Sequence, residues 1–213
     1  MILIGMFDSP FVRRVAVSLN VLGIAFEHRN WSVGKDFDRI REFNPLGRVP
    51  TLVPDSGEPL MESAAILDFL DDTVGPARAL LPASGAARRD ALRLMAMATG
   101  AAEKGVAQIY ESVFRPEEKR HWPWVERCRL QTIAALEQLE AWAAARQGGW
   151  LVGERMTQAD ITATCVLTFL SDALAVTRNP ADYPALNAAA ARCEALPAFQ
   201  AARAAFEAPR TDA

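Results

Sequence analysis

Three short stretches hold the residue types from which a site can be built. In "FDSPFVRRV" Ser9 ends a short apolar run and opens an amphipathic one, so it stands at the N-cap of a helix with Pro10 at the first helical position. In "NPLGRVPTLV" the pair Val49-Pro50 starts a strand. A proline there removes a ladder donor, which suits a backbone that turns outward, a cis bond being one way to achieve it. In "MES" an acid, Glu62, and a hydroxyl, Ser63, sit at the start of another helix. Helix N-termini present free N–H groups and partial positive charge, so these positions favour carboxylates and thiolates. Each feature also has a plainer reading. Ser9 and Ser63 can be simple N-caps, and Pro50 an edge-strand proline. Glu62 is the least ambiguous, since a carboxylate beside a helix start needs either the dipole or a ligand amine.

Other chemistries find little support. The chain has two histidines, His28 and His121, and three widely spaced cysteines, Cys128, Cys165 and Cys193, so no metal-ligand cluster is expected. There is no Gly-rich dinucleotide or phosphate loop, and Ser9 is not in a G-x-S-x-G elbow. A net charge of −3 without Lys/Arg runs argues against a nucleic-acid partner. The N-terminal apolar stretch lacks a basic leader, and the longest apolar segment, 161–176, contains Asp172 and is too short for a membrane span. The odd, scattered cysteines read as buried hydrophobes in a reducing compartment, and the cytoplasm is the expected location.

These residues must be positioned by a fold, and the 213-residue chain has the composition for one: 51% hydrophobic and 23% charged. The first eighty residues alternate element types. "ILIGM" (2–6) is a strand, and 10–22 is a helix with Val12, Val15, Ala16, Leu19 and Leu22 on one face and Gly23 as its stop. Residues 24–31 alternate as a strand, and 36–43 form a short helix. "VPTLV" and "PLM" flank a Gly-containing turn as a hairpin, and 62–75 is a capped helix. The order is βαβαββα. A Pro/Gly/Ala-rich linker follows at 79–87. Beyond it only helical patterns occur, at 88–114, 123–149, 157–176, 184–195 and 198–207. The helix at 157–176 is apolar around nearly its whole circumference and should be the buried centre of an all-α domain. Its start, "MTQADI", is a capping box of Thr157 and Asp160, with Met156 and Ile161 placed as a hydrophobic staple; this is a folding signal. The tail "APRTDA" is a low-complexity terminus, expected to be mobile.

Taken together, "SPFVRRV", "NPLGRVPTLV", "ESAAIL" and "TQADI" resemble the glutathione transferase family in order and spacing, and the resemblance spans essentially the whole chain. The closest likeness is to bacterial cytosolic members with serine at the active position. The resemblance implies a thioredoxin-like glutathione-binding domain at 1–78 and an all-helical substrate-binding domain at 88–213. It implies a detoxification-type transferase with glutathione as co-substrate and no metal. Carried over, Ser9 matches the hydroxyl that hydrogen-bonds the glutathione sulfur and favours its thiolate. Val49 matches the residue whose backbone pairs with the cysteinyl unit, and Pro50 the cis-proline that exposes it. Glu62 matches the residue on the γ-glutamyl amine, Ser63 the one on its carboxylate, and Arg48 a cation for the glycyl carboxylate. Phe11, Tyr110 and Phe114, with Phe7 and Trp122 beside them, are candidates for an electrophile pocket, although each can equally be core. Where Ser9 stands, members that run thiol–disulfide exchange carry cysteine, because a mixed disulfide needs a protein sulfur.

The reading is therefore a glutathione S-transferase in which the thiolate attacks a small hydrophobic electrophile. Two alternatives stand beside it: a glutathione-dependent isomerase or reductive lyase on the same site, and a non-catalytic interaction module of the same fold. A homodimer is expected, pairing the N-terminal domain of one subunit with the C-terminal domain of the other. Helix 88–114 is the candidate contact, since Leu92, Met95, Ala96 and Thr99 make one face and Leu94, Met97 and Ala101 another.

Overall fold

The computed structural model describes residues 1–174, 179 and 181–209. The expected βαβαββα order is present as β1 (Ile2–Ile4), α1 (Pro10–Leu22), β2 (Glu27–Arg29), α2 (Phe37–Arg41), β3 (Thr51–Val53), β4 (Leu60–Met61) and α3 (Ser63–Val74). The strands form one mixed sheet in the order β2-β1-β3-β4. β1 runs parallel to β2 and antiparallel to β3, with Ile4 opposite Thr51, and β3 and β4 make the expected hairpin. Leu3, Ile4 and Leu52 of the sheet are fully buried, as are Val12, Val15, Ala16 and Leu19 of α1 and Ile66 and Leu70 of α3. Burial of these aliphatic side chains is the main stabilising term for so small a sheet.

Helix α1 begins and ends where its local chemistry directs. Pro10 occupies the start of α1, and Gly23, at φ 68°, closes the helix by donating its N–H to the Asn20 carbonyl at 3.1 Å. Gly5 has a different task. A Cβ built on it would lie 2.5 Å from Val12 Cγ2 and 2.8 Å from Val49 Cβ, so only glycine lets the end of β1, the first turn of α1 and the loop before β3 meet.

The C-terminal segment departs from the expectation. The compact units are Met1–Leu80 together with the chain from Leu196 onward, and Leu81–Ala195. Residues beyond 196 thus join the sheet-bearing unit, whereas the sequence pattern assigned them to the helical one. The helix expected near 198–207 is a single turn, α8 (Pro197–Gln200). The physical reason lies in α1. Arg13, 2% exposed, donates to the carbonyls of Ala202 and Phe199 at 2.9 and 3.3 Å, and Asn20 donates to that of Ala198 at 3.0 Å. Side chains of α1 take over carbonyls that a longer helix would have used itself, and Phe199 is fully buried. The first residues of the expected linker, Ala79, Leu80 and Leu81, are buried.

The second unit holds α4 (Gly85–Val113), α5 (Trp122–Ala145), α6 (Gln158–Leu174) and α7 (Pro184–Glu194), eight α-helices in all being found among the described residues. α4 starts three residues before the expected position. Its Gly105 is a contact point: a Cβ there would come within 2.6 Å of Leu170 on α6. α6 is buried over most of its circumference, as its composition requires. Positions 175 and 176 of the expected helix lie outside the described residues, as do 210–213 of the tail.

Asp160 organises the start of α6. Its Oδ1 accepts the Leu151 N–H at 2.8 Å, and its Oδ2 accepts both the N–H and the hydroxyl of Thr157 at 2.9 Å. The Thr157 hydroxyl in turn accepts the Ala159 N–H at 3.3 Å, so the box is closed through the second amide of the helix. Burial pushes the Asp160 carboxyl above the usual carboxylate range, against the pull of these hydrogen bonds. Asp160→Ala leaves two buried amides without acceptors, and each such group costs about 1–3 kcal/mol. The expected outcome is a loss of several degrees in the melting temperature and faster hydrogen exchange in α6, with Asp160→Asn, which keeps one acceptor oxygen, less affected.

Candidate active site

The start of α1 is free to serve a ligand. Ser9 is half-buried, with extended backbone (φ −72°, ψ 124°), and its hydroxyl makes no capping hydrogen bond. The first intrahelical bond runs from the Arg13 N–H to the Ser9 carbonyl at 2.9 Å, so the amides of Phe11 and Val12 lie ahead of it with their dipoles aligned. A helix start whose cap residue leaves its hydroxyl uncommitted can donate to an anion there.

The Val49–Pro50 bond is cis. Among the described residues, neither the N–H nor the carbonyl of Val49 has a hydrogen-bond partner. The loop is held by Asn44, a residue the sequence reading passed over. Asn44 is 1% exposed; its amide nitrogen donates to the Arg48 carbonyl at 2.9 Å and to Thr51 Oγ1 at 3.2 Å, and its Oδ1 accepts the Leu46 N–H at 3.0 Å. An asparagine ahead of Pro-x-Gly is a turn signal that could have marked it.

Glu62 precedes α3 with φ 69° and ψ 121°, a conformation that non-glycine residues rarely adopt and that costs on the order of 1–3 kcal/mol. Its carboxylate meets the Arg48 guanidinium at 3.1 Å, with both side chains more than half exposed. An exposed pair of this kind contributes at most about 1 kcal/mol, so either partner can rearrange readily. Ser63 is 3% exposed, and its hydroxyl accepts a hydrogen bond from Nη2 of Arg14 at 2.8 Å. The first intrahelical bond of α3 links the Ile66 N–H to the Glu62 carbonyl, and no side chain caps the amides before it.

The remaining candidates divide between the two units. Phe7 stacks on His28 with ring centroids 3.8 Å apart, while the His28 Nε2 pairs with the Gly5 carbonyl at 2.8 Å; this histidine braces β1. Phe11 is half-buried on α1. Tyr110 and Phe114, on the helical unit, meet edge to face at 4.8 Å and are 41% and 38% exposed, so they are not core residues. Trp122 is 55% exposed. Among the described residues no group of His, Cys, Asp or Glu could hold a metal ion, and no helix is long and apolar enough to cross a membrane.

Against known proteins, residues 3–78 match the N-terminal domain and residues 106–197 the C-terminal domain of glutathione S-transferases. A glutathione S-transferase from Methylobacterium radiotolerans, solved in complex with glutathione sulfonate, superposes with a TM-score of 0.90 at 28% identity, covering 97% of this chain and 95% of that one. A glutathione transferase family member from Pseudomonas fluorescens Pf-5 with bound glutathione gives 0.84 at 31% identity, over 96% of this chain and 99% of that one. A probable maleylacetoacetate isomerase of Vibrio cholerae is 28% identical over 222 aligned positions, 93% of each chain. The chain belongs to the glutathione S-transferase family, with the four-stranded mixed sheet and the helical C-terminal half of that fold.

The residue before Ser9 has a role that sequence reading missed. The Oδ2 of Asp8 accepts the Glu207 N–H at 3.0 Å, and its Oδ1 is buried without a hydrogen-bond partner. Together with Phe7, Ser32, Lys35, Asp36 and Glu207 it lines a cavity of about 220 Å³. Burial, with the Glu207 carboxylate adding to it, holds the Asp8 carboxyl above its ordinary range despite the opposing amide hydrogen bonds. A raised pKa in this contact means that forming it binds the proton more tightly than the unfolded chain does. The contribution is therefore complete below the ordinary carboxylate range and is lost as pH rises through the raised value. Protection of the Glu207 amide against hydrogen exchange, corrected for intrinsic rate, is expected to fall with rising pH in the wild type. In Asp8→Asn it should be flat.

Proposed function

We propose that this protein binds glutathione on the sheet-bearing unit, holds it as the thiolate, and directs it at a small hydrophobic electrophile. The observation that carries the reading is the uncapped start of α1, where the Ser9 hydroxyl and the amide dipoles converge without a partner among the described residues. A thiol placed there loses its proton more easily, because donor and helix terminus both favour the anion. The sulfur then forms the new bond to the electrophile, and the leaving group or the shifted electron pair takes up the charge.

The rest of the peptide is assigned to the neighbouring groups. The unpartnered N–H and carbonyl of Val49, exposed beside Pro50, pair with the cysteinyl backbone, a one-residue form of strand addition. Glu62 takes the γ-glutamyl amine, Ser63 its carboxylate and Arg48 the glycyl carboxylate, so that Glu62 and Arg48 exchange a weak surface pair for ligand partners. On the helical unit, exposed Tyr110 and Phe114 are proposed to contact the electrophile. Residues 1–78 form the glutathione-binding domain and 88–195 the main substrate-binding one. Free, buried cysteines support a cytoplasmic setting.

A second reading has support of its own. The Vibrio cholerae relative is named a probable isomerase and aligns over nearly its whole length. In an isomerisation the thiolate adds to the substrate, a bond rotates, and the sulfur is expelled again. Glutathione consumption separates the two: conjugation removes one glutathione per turnover, isomerisation none.

Ser9→Ala removes the donor that strengthens as the anion forms, so turnover is expected to fall about 100-fold, the scale for losing one such donor, while glutathione affinity changes little. The pH–rate profile should move to higher pH. Unchanged turnover and an unmoved profile would leave Ser9 a helix cap only.

We further propose a homodimer formed through α4. Leu92 is 45% exposed and Ala96 is exposed beside it, whereas Met95, grouped with them on sequence spacing, turns into the helical core with Leu94 and Ala101. An exposed leucine on that face supports a partner surface. Light scattering at micromolar concentration should give twice the 23.3 kDa chain mass. Leu92→Arg should shift it to a single chain, and a native mass near one chain overturns the dimer.

A further inference from the structure

Ser63 poses a chemical question. It is the first residue of α3, and its hydroxyl is buried with Arg14 Nη2 donating to it at 2.8 Å. A hydroxyl has one proton and two lone pairs, and a guanidinium can only donate. Arg14 therefore occupies a lone pair and leaves the hydroxyl proton to be given elsewhere. Among the described residues that proton has no acceptor. It sits beside the open amides of an uncapped helix start, where a negative charge is favoured. A hydroxyl that accepts from a cation is also polarised into a stronger donor.

We infer that Arg14 is a positioning residue for anion recognition: by fixing the Ser63 hydroxyl as a donor, it orients the contact to the γ-glutamyl α-carboxylate at the α3 N-terminus. This rests on the assignment of that carboxylate to Ser63 above. Arg14 is itself 2% exposed and held within α1, the helix whose start carries Ser9. The two anionic ends of the ligand site, thiolate and carboxylate, are thus tied to a single helix. A buried guanidinium is geometrically fixed in a way that a surface lysine is not, which suits a group that must aim another.

The test is a double-mutant cycle on glutathione affinity by calorimetry, using Arg14→Met, Ser63→Ala and the double variant, with thermal melts as a check on folding. Each single substitution is expected to raise Kd about tenfold, and the double variant to lose no more than either alone. Arg14→Lys, which can still donate, should recover part of the loss. A glutathione analogue with the γ-glutamyl α-carboxylate amidated should bind wild type and Arg14→Met equally weakly. Losses that multiply in the double variant, or an analogue that still distinguishes Arg14→Met from wild type, overturn the positioning role while leaving Ser63 in the site. If Ser63→Ala alone leaves Kd unchanged, the assignment of Ser63 falls, and the role of Arg14 falls with it. Should Arg14→Met melt too early to assay, the Arg14→Lys and Ser63→Ala cycle gives the same decision.

Discussion

The contact at Gly5 governs the geometry of the sheet-bearing unit. Val12 and Val49 approach so closely that a Cβ at Gly5 would overlap both. The first turn of α1, which carries Ser9, and the loop that carries Val49 are thereby pressed against the end of β1. Neither can move without opening an apolar contact in a core packed to the density of a crystal. Positions separated by some forty residues in the chain are brought together at the end of the central strand β1 by the absence of a single methyl group. His28 reinforces the same point from β2, pairing with the Gly5 carbonyl and stacking on Phe7.

Polar groups complete what packing begins. Asn44 holds the loop before β3 from below, Arg14 reaches from α1 to the first residue of α3, and Arg13 fastens the C-terminal segment. All three are buried, and each satisfies groups that would otherwise be costly to remove from water. The groups assigned to the ligand are treated differently. Among the described residues the Ser9 hydroxyl and the Val49 backbone are left without partners, Glu62 is held in a strained conformation, and the Arg48–Glu62 pair is exposed. A rigid buried scaffold around uncommitted polar groups is the arrangement that recognition requires, because ordering has been completed before the ligand arrives.

The helical unit is simpler in its logic. α6 is surrounded by α4 and α7, Gly105 permits the close approach of α4, and Asp160 satisfies amides at the helix start and in the preceding loop. At the end of α4 the helix is two-faced: Ile109 and Glu111 are buried, while Tyr110 and Phe114 stay exposed.

Much of this was legible in the chain itself. Hydrophobic periodicity marked α1, α3 and α6, Gly23 and the hairpin turn marked ends, and the Thr157–Asp160 pair marked a helix start; all depend on neighbours within a few residues, where local sterics and hydrogen bonding dominate. Family motifs placed Ser9, Val49, Pro50, Glu62 and Ser63 as candidates. What the sequence could not decide was which polar groups would be used up by the fold. Ser9 and Ser63 looked alike as helix starts, yet one hydroxyl is left uncommitted and the other accepts from a buried arginine. The return of residues 196–209 to the first unit was equally hidden, since it depends on Asp8, Arg13 and Asn20 meeting carbonyls and an amide nearly two hundred positions away. Such pairings have no local signature: they exist only once burial has removed water as the competing partner.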